Sequence, residues 1–345
     1  MEKVRKIPGI LLGVLSISLI VAACASAPIT TKQDTPRVKY VLKFNHVLTE
    51  SETFHKGFMK WAQRVGERTN GGLEIQVFHS AQLGLEENII ELLRQGVPIG
   101  QNTDSARLGI YIPEIAVMNA PYFLDSIDDV AKLKELPTVK QWEKELEDNY
   151  GIKIVSFNWV QGSRQMVTNR PIRNPGDMQG LRIRVPGAPV WQQTMCSFGA
   201  EPVVLPFGEV YIGMEQKEVD GADLVYRNVT DAKLFEVARY MSETRHILLI
   251  NFEVVSKQFF DSLPPEYQQI LIEECDKAGV ETSREMEKEV EQLKKDLTQK
   301  GMIIVEDVNV ADFRRASEAT YEVLKLTNIR DKLYEEMGKR NEFYD

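Results

Sequence analysis

The chain has 345 residues, 43% of them apolar, with 42 Lys and Arg against 51 Asp and Glu, for a formal net charge of −9. This length is more than one ordinary core needs and predicts two lobes, while the acidic balance argues against nucleic acid or an anionic membrane surface as partner. Four histidines without HExxH or a close Cys/His pairing give no support for a metal site, and no P-loop, GxGxxG or GxSxG motif is present.

At the N-terminus, Lys3, Arg5 and Lys6 precede an apolar run from Ile7 to Ala23, and Val21-Ala22-Ala23 places small residues directly before Cys24. That order predicts a secretory signal peptide over residues 1–23. A cysteine at the cleavage point predicts lipidation of Cys24 as the first mature residue. The rival reading is a plain membrane anchor helix, for which the run is short. Residues 24–37, polar with two prolines, suit a tether. No later apolar run reaches spanning length, which predicts a soluble, extracytoplasmic body. Cys196 and Cys275 could bridge in an oxidising compartment or stay free.

The segment 38–47 reads as a first strand. Phe54, Phe58, Trp61 and Val65 form one stripe and predict a helix over 52–69. Leu73, Ile75 and Val77 alternate as a strand, and a short helix follows over 83–96, ending at Gly96. Residues 132–151 predict a helix broken near Pro137, and 151–160 a strand. This alternation is the pattern of an α/β fold. After Val160 the pattern resumes: strands at LRIRV and EPVVLP flank a helix at VWQQTMCSFG, and GEVYIGMEQKEVDG is helical. Residues 246–260 read as apolar and extended. From Pro264 to Lys300 a stripe of Cys275, Ala278, Thr282, Met286, Val290, Leu293 and Leu297 predicts a helix on the order of 50 Å long. It would cross both lobes; a coiled coil is the rival reading. MIIVEDV supplies a last strand before closing helices.

Five arginines lie between Gly162 and Gly187 of this acidic chain. Alternation in LRIRV puts Arg182 and Arg184 on one face. Arg164 follows the strand end Asn158-Trp159-Val160 through a Gly-containing turn. A guanidinium among apolar stretches needs a partner. Either Asp or Glu of the same chain supplies it, or an external organic acid does through the planar fork. Carboxylates are plentiful but no catalytic pair stands out, so an enzyme is the weaker class.

The blocks LRIRVPGAPVW and FGAEPVVLPFGEVYIGMEQKEVDGAD resemble the extracytoplasmic solute-binding subunit of tripartite ATP-independent periplasmic (TRAP) transporters, of the DctP type. SAQLG, DSARLGIYIPEIAVMNAPYF, GSRQMVTNRPI and FFDSLPPEYQQIL are similar too, in order, so the resemblance runs from residue 38 to about 305. It implies a two-lobed periplasmic-binding-protein-like α/β fold with a long helix spanning both lobes, one made of residues 38–161 and 250–290, the other of 162–249 and 291–345. It implies binding without a cofactor: a small organic acid, a sugar acid or C4-dicarboxylate, is captured in the cleft and passed to membrane permease subunits driven by an ion gradient. Arg184 would make the main carboxylate contact and Arg164 assist. Asp104 would touch polar groups of the ligand, or pair with Arg107. Asn45, His46, Phe207, Asp223 and Leu224 would complete the site, with Leu224 standing where sugar-acid binders often carry Asn. Arg170, Arg173 and Arg182 are expected to have partners within the protein. A ligand sensor for a signalling receptor and an ABC-type binding protein are the alternative roles.

Overall fold

The structure is a computed structural model that describes residues 39–339. The signal segment 1–23, Cys24 and the tether 24–37 lie outside the described residues.

The first third of the body contains β1 (Tyr40–Asn45), α1 (Thr53–Arg68), β2 (Leu73–Phe78), α2 (Glu86–Arg94), β3 (Ile99–Thr103), α3 (Ser105–Leu108), α4 (Ile127–Leu133) and α5 (Pro137–Tyr150). The next part holds β4 (Ile152–Thr168), β5 (Arg182–Val185), α6 (Pro189–Ser197), β6 (Glu201–Val204), α7 (Val210–Glu215), β7 (Gly221–Leu224) and α8 (Tyr226–Asp231). The chain closes with β8 (Tyr240–Ser256), α9 (Lys257–Ser262), α10 (Pro265–Gln299), β9 (Ile303–Val305), α11 (Val310–Val323) and α12 (Thr327–Met337).

All of these strands belong to one sheet, in the order β2-β1-β3-β8-β4-β7-β5-β6, with β9 also on β8. Two 17-residue strands, β4 and β8, run antiparallel through its middle. The end of β8 pairs with β3 through Phe252–Val255, and the end of β4 pairs with β7 through Gln165–Thr168. One wing of the sheet therefore hangs on each end of this central pair.

The stripe of α1 is buried as its period requires: Phe54, Phe58, Trp61 and Val65 have no exposure. They form a core with β1, β2 and the first half of α10, where Leu271, Cys275 and Ala278 are buried. Leu293 and Leu297, from the second half of α10, pack in a different core with Val210, Leu224 and Met241. One helix is thus a shared wall of two cores. It approaches closely at Gly279, where a Cβ would overlap Asn158 Oδ1 and the Trp159 indole.

Two expectations are corrected. No turn follows Val160: β4 continues through Gly162, whose φ of 106° takes up a register shift against β8. The extended run expected over 246–260 starts earlier, at Tyr240, and stops at Ser256, whose hydroxyl accepts from Phe259 N and starts α9. The helix broken near Pro137 is two helices, with Pro137 opening α5, a position where its missing N–H costs nothing. Cys196 and Cys275 are free thiols.

Candidate functional site

Where the central strands meet the two wings there is a cavity of about 370 Å³, a size suited to a small metabolite. Val47, Leu48, Glu86, Glu87, Asn102, Asp104 and Arg107 line it from the β1–β3 side. Gln161, Arg164, Leu249 and Asn251 come from β4 and β8, and Arg184, Trp191, Leu205, Phe207, Leu224 and Asn228 from the other wing.

Arg184 lies mid-strand in β5, held between Val203 of β6 and Ala222 of β7. Its neighbours Ile183 and Val185 point into the core, which turns the arginine to the opposite face and the cavity. Only 3% of the residue is exposed. Its Nε donates to the Leu205 carbonyl at 2.8 Å, and among the described residues no carboxylate lies within ion-pairing distance. Burial, with Arg164 close by, lowers its pKa to about 9, so it stays charged at neutral pH but is poorly compensated. Arg182, on the same face of β5, pairs with Asp220 and is half-buried. Arg170 donates to the Asp177 carbonyl and Arg173 to Asp307, so all three have protein partners.

Arg164, expected to assist at an external carboxylate, lines the cavity and is already paired within the protein. Its Nε donates to Asp223 Oδ2 at 2.7 Å and its Nη2 to Oδ1 at 2.8 Å, a two-bond fork with both partners buried. The guanidinium lies 4.7 Å from the centre of the Trp191 ring. Burial pushes Asp223 up, but Arg164 outweighs it and holds the carboxyl at about 2. Asp223 is occupied rather than open to a hydroxyl, with His246 Nε2 a further 3.6 Å away.

Asp104 caps α3 through the Arg107 N–H and forms an ion pair with the Arg107 guanidinium. Arg107 also binds Glu86 at 2.6 Å and Glu87 at 2.9 Å. One cation therefore serves three acids. Burial, only partly countered by Arg107, raises Glu86 to about 7.

Phe207 and Leu224 line the cavity. Asn45 and His46 do not. Asn45 donates to Gln101 and to the Gly84 carbonyl and accepts from Leu83 N, which ties β1 to β3 and to the loop after β2. His46 has no exposure and shares a hydrogen bond of 3.0 Å with His55. The sequence reading missed the neutral amides Asn102, Asn228, Asn251 and Gln161, and also Trp191. A signal existed for one of them: Asn251 interrupts the apolar run HILLINFEVV, as does Glu253. Among the described residues no cluster of His, Cys, Asp and Glu could hold a metal ion, and no helix is long and apolar enough to cross a membrane.

Known proteins share this architecture. The 2,3-diketo-L-gulonate-binding periplasmic protein YiaO of Escherichia coli is 28% identical over 239 residues, 69% of this chain and 72% of its own. The C4-dicarboxylate-binding periplasmic protein DctP of Rhodobacter capsulatus is 27% identical over 343 residues, 97% of this chain and 95% of its own. The crystal structure of a TRAP periplasmic solute-binding protein from a Fusobacterium, with bound sn-glycerol-3-phosphate, is 27% identical with a TM-score of 0.83, covering 87% of this chain and 97% of that one. The wings on either side of β4 and β8 are thus the two lobes of a binding-protein fold. Residues 44–326 match the family described as DctP, bacterial extracellular solute-binding protein, family 7, and the chain belongs to it.

Proposed function

We propose that this protein captures a small organic acid as a monoanion in the interlobe cleft, with Arg184 as its carboxylate contact, and hands it to the membrane subunits of a TRAP-type permease. Its family consists of solute-binding proteins, not enzymes. The observation that carries the reading is Arg184: a buried cation in the cleft, hydrogen-bonded to a carbonyl, with no carboxylate of the described chain beside it. An external carboxylate accepting from the rest of the guanidinium would supply the missing counter-charge. Arg164, locked to Asp223, contributes its position over Trp191 and the remainder of its fork.

Charge balance favours a hydroxylated monoacid, the class to which the YiaO solute belongs. Away from Arg184 the cleft offers neutral amides and an arginine already shared by Asp104, Glu86 and Glu87. A second ligand carboxylate would meet acids there. The C4-dicarboxylate reading rests on the relative that spans 97% of this chain. Closure of the lobes, 38–161 with 250–290 against 162–249 with 291–345, would exclude water and strengthen the contact to Arg184. The register shifts of β4 between Val160 and Met166 support a hinge at that boundary. In this reading Cys24 carries the lipid that keeps the protein at the outer face of the membrane, and residues 24–37 are the tether.

The test is a thermal-shift panel on residues 25–345 with aldonates, malate, succinate and sn-glycerol-3-phosphate, since selective binding raises the melting temperature by mass action. A shift with an aldonate that disappears in Arg184→Ala supports the proposal. A shift with malate or succinate alone replaces the solute class, and one that survives Arg184→Ala removes Arg184 from the site.

A further inference from the structure

Three asparagines of the cleft are not free to turn. Asn102 Nδ2 donates to Glu253 Oε1 at 3.0 Å and Asn228 Nδ2 to Glu52 Oε1 at 2.9 Å, while Asn251 Nδ2 reaches the Trp159 carbonyl at 3.5 Å. Each contact uses the amide nitrogen. Besides the second N–H of each amide, the amide oxygen is left, with no hydrogen-bond partner among the described residues, and all three residues line the cleft.

The two carboxyl anchors are unusual groups to find in a core. Glu52 and Glu253 have no exposure, and neither forms an ion pair among the described residues. Glu52 occupies the N-cap position of α1 yet makes no side-chain cap there; its carboxyl goes to Asn228 instead. Glu253 stands directly across from Asn102 in the antiparallel pairing of β3 with β8. The second oxygen of each carboxyl is buried without a partner. Such groups destabilise a fold unless they are kept neutral and hydrogen-bonded. Burial raises Glu52 to about 8 and Glu253 well above the usual carboxyl range. Among the described residues, the one hydrogen bond each carboxyl makes is the bond to a cleft asparagine.

We propose that Glu52 and Glu253 are positioning residues for solute selection: they hold the amides of Asn228 and Asn102 with oxygen towards the cleft, making that wall an acceptor surface that admits solute hydroxyls and refuses a second carboxylate. A freely turning asparagine could present its NH2 to a carboxylate just as well as its oxygen to a hydroxyl. With Oε1 of each anchor accepting from the asparagine Nδ2, as it does here, the amide oxygen is the end turned away from the anchor, and refusal of the wrong partner is part of specificity. This inference rests on the reading that the cleft holds an organic acid at Arg184.

The experiment has two readouts. The first needs no solute: hydrogen exchange of the Asn102 and Asn228 side-chain amides, followed by NMR in protein labelled with ¹⁵N-asparagine. The second is calorimetric affinity for D-gluconate and for L-malate. Glu253→Leu is expected to speed exchange at Asn102 alone and to lower gluconate affinity about tenfold relative to malate. Glu253→Gln, which keeps a carbonyl acceptor, should restore both. Glu52→Met should do the same for Asn228, and stands in if Glu253→Leu does not fold. Exchange at Asn102 and Asn228 that is as fast in the wild type as in the variants, or affinities for the two acids that fall in step, would overturn the proposal. If the wild type binds neither acid, the solute class proposed above fails, whereas the exchange rates still decide whether the anchors hold the amides.

Discussion

Arg164 and Asp223 close a two-bond fork inside the protein, at 2.7 and 2.8 Å, while Arg184, on the neighbouring wall of the same cleft, has among the described residues only the Leu205 carbonyl. The two arginines are equally buried but opposite in their electrostatic accounts. Arg184→Ala should therefore weaken binding of the true solute by about 2–5 kcal/mol, the usual cost of truncating one partner of a buried charge pair. Arg184→Leu should leave the melting temperature of the solute-free protein unchanged or higher, because it removes a poorly compensated charge. Calorimetry for the first and a thermal melt for the second check the pair. A marked loss of stability in Arg184→Leu would show that the arginine is a structural group.

Asp223→Asn should do the reverse. It leaves Arg164 buried without its anion, which costs about 3–5 kcal/mol. Urea unfolding of the solute-free variant should show that loss, and binding would fall with it. A variant as stable as the wild type would mean that Arg164 is charge-compensated by some other group.

The His46–His55 contact predicts a pH dependence. Burial first, then the nearby His55 and His79, lowers His46 from 6.5 to about 3. The folded state therefore keeps it neutral while the unfolded chain takes up a proton below pH 6.5. Its contribution to stability is complete above 6.5 and is lost as the pH falls towards 3, with a slope of up to about 1.4 kcal/mol per pH unit. Buried acids such as Glu52, raised to about 8, act in the opposite direction: their contribution is complete below 4.5 and is lost as pH rises through 8. The informative measurement is thus the difference between wild type and His46→Gln, by urea unfolding from pH 7.5 to 4.5. The gap should change steadily below 6.5 in favour of the variant, and parallel profiles would contradict the assignment.

Gly279→Ala should destabilise by about 1–3 kcal/mol, the range for overpacking a filled contact. The added methyl would meet Asn158 Oδ1 and the Trp159 indole. Neither gives way easily: Asn158 Oδ1 accepts from Ser156, its Nδ2 donates to the Asp276 carbonyl, and Trp159 has no exposure. Chemical denaturation measures this directly, and a neutral result would mean that α10 can lift off β4.

Much of this fold could be read from periodicity, because its larger elements are one-sided. The stripes of α1 and α10 are those of the sequence, and Pro137 marks a helix start. The short strands β3 (IGQNT) and β7 (GADL) carry no pattern of their own. They are strands because they fill places between longer neighbours, and both are buried throughout. The candidate site divides the same way. The face of Arg184 follows from alternation, but its depth relative to Arg182 does not: β5 begins beside Asp220, which draws Arg182 to the rim. Arg164 finds Asp223 through the antiparallel pairing of β4 with β7, which sets Met166 opposite Asp223 across 56 intervening residues. No local pattern carries that. His46 and Asn45 bond to neighbours from α1 and β3, a fact visible only once those elements are packed.

The 35 residues of α10 take part in two cores at once. Any swing of one lobe towards the other must flex the helix or slide it over one of its packed seats, and it must shear the bulged stretch of β4 as well. The helix then behaves as a leaf spring clamped at both ends. If the lobes close on a solute as proposed, part of the energy of that grip would load the helix and be returned on opening.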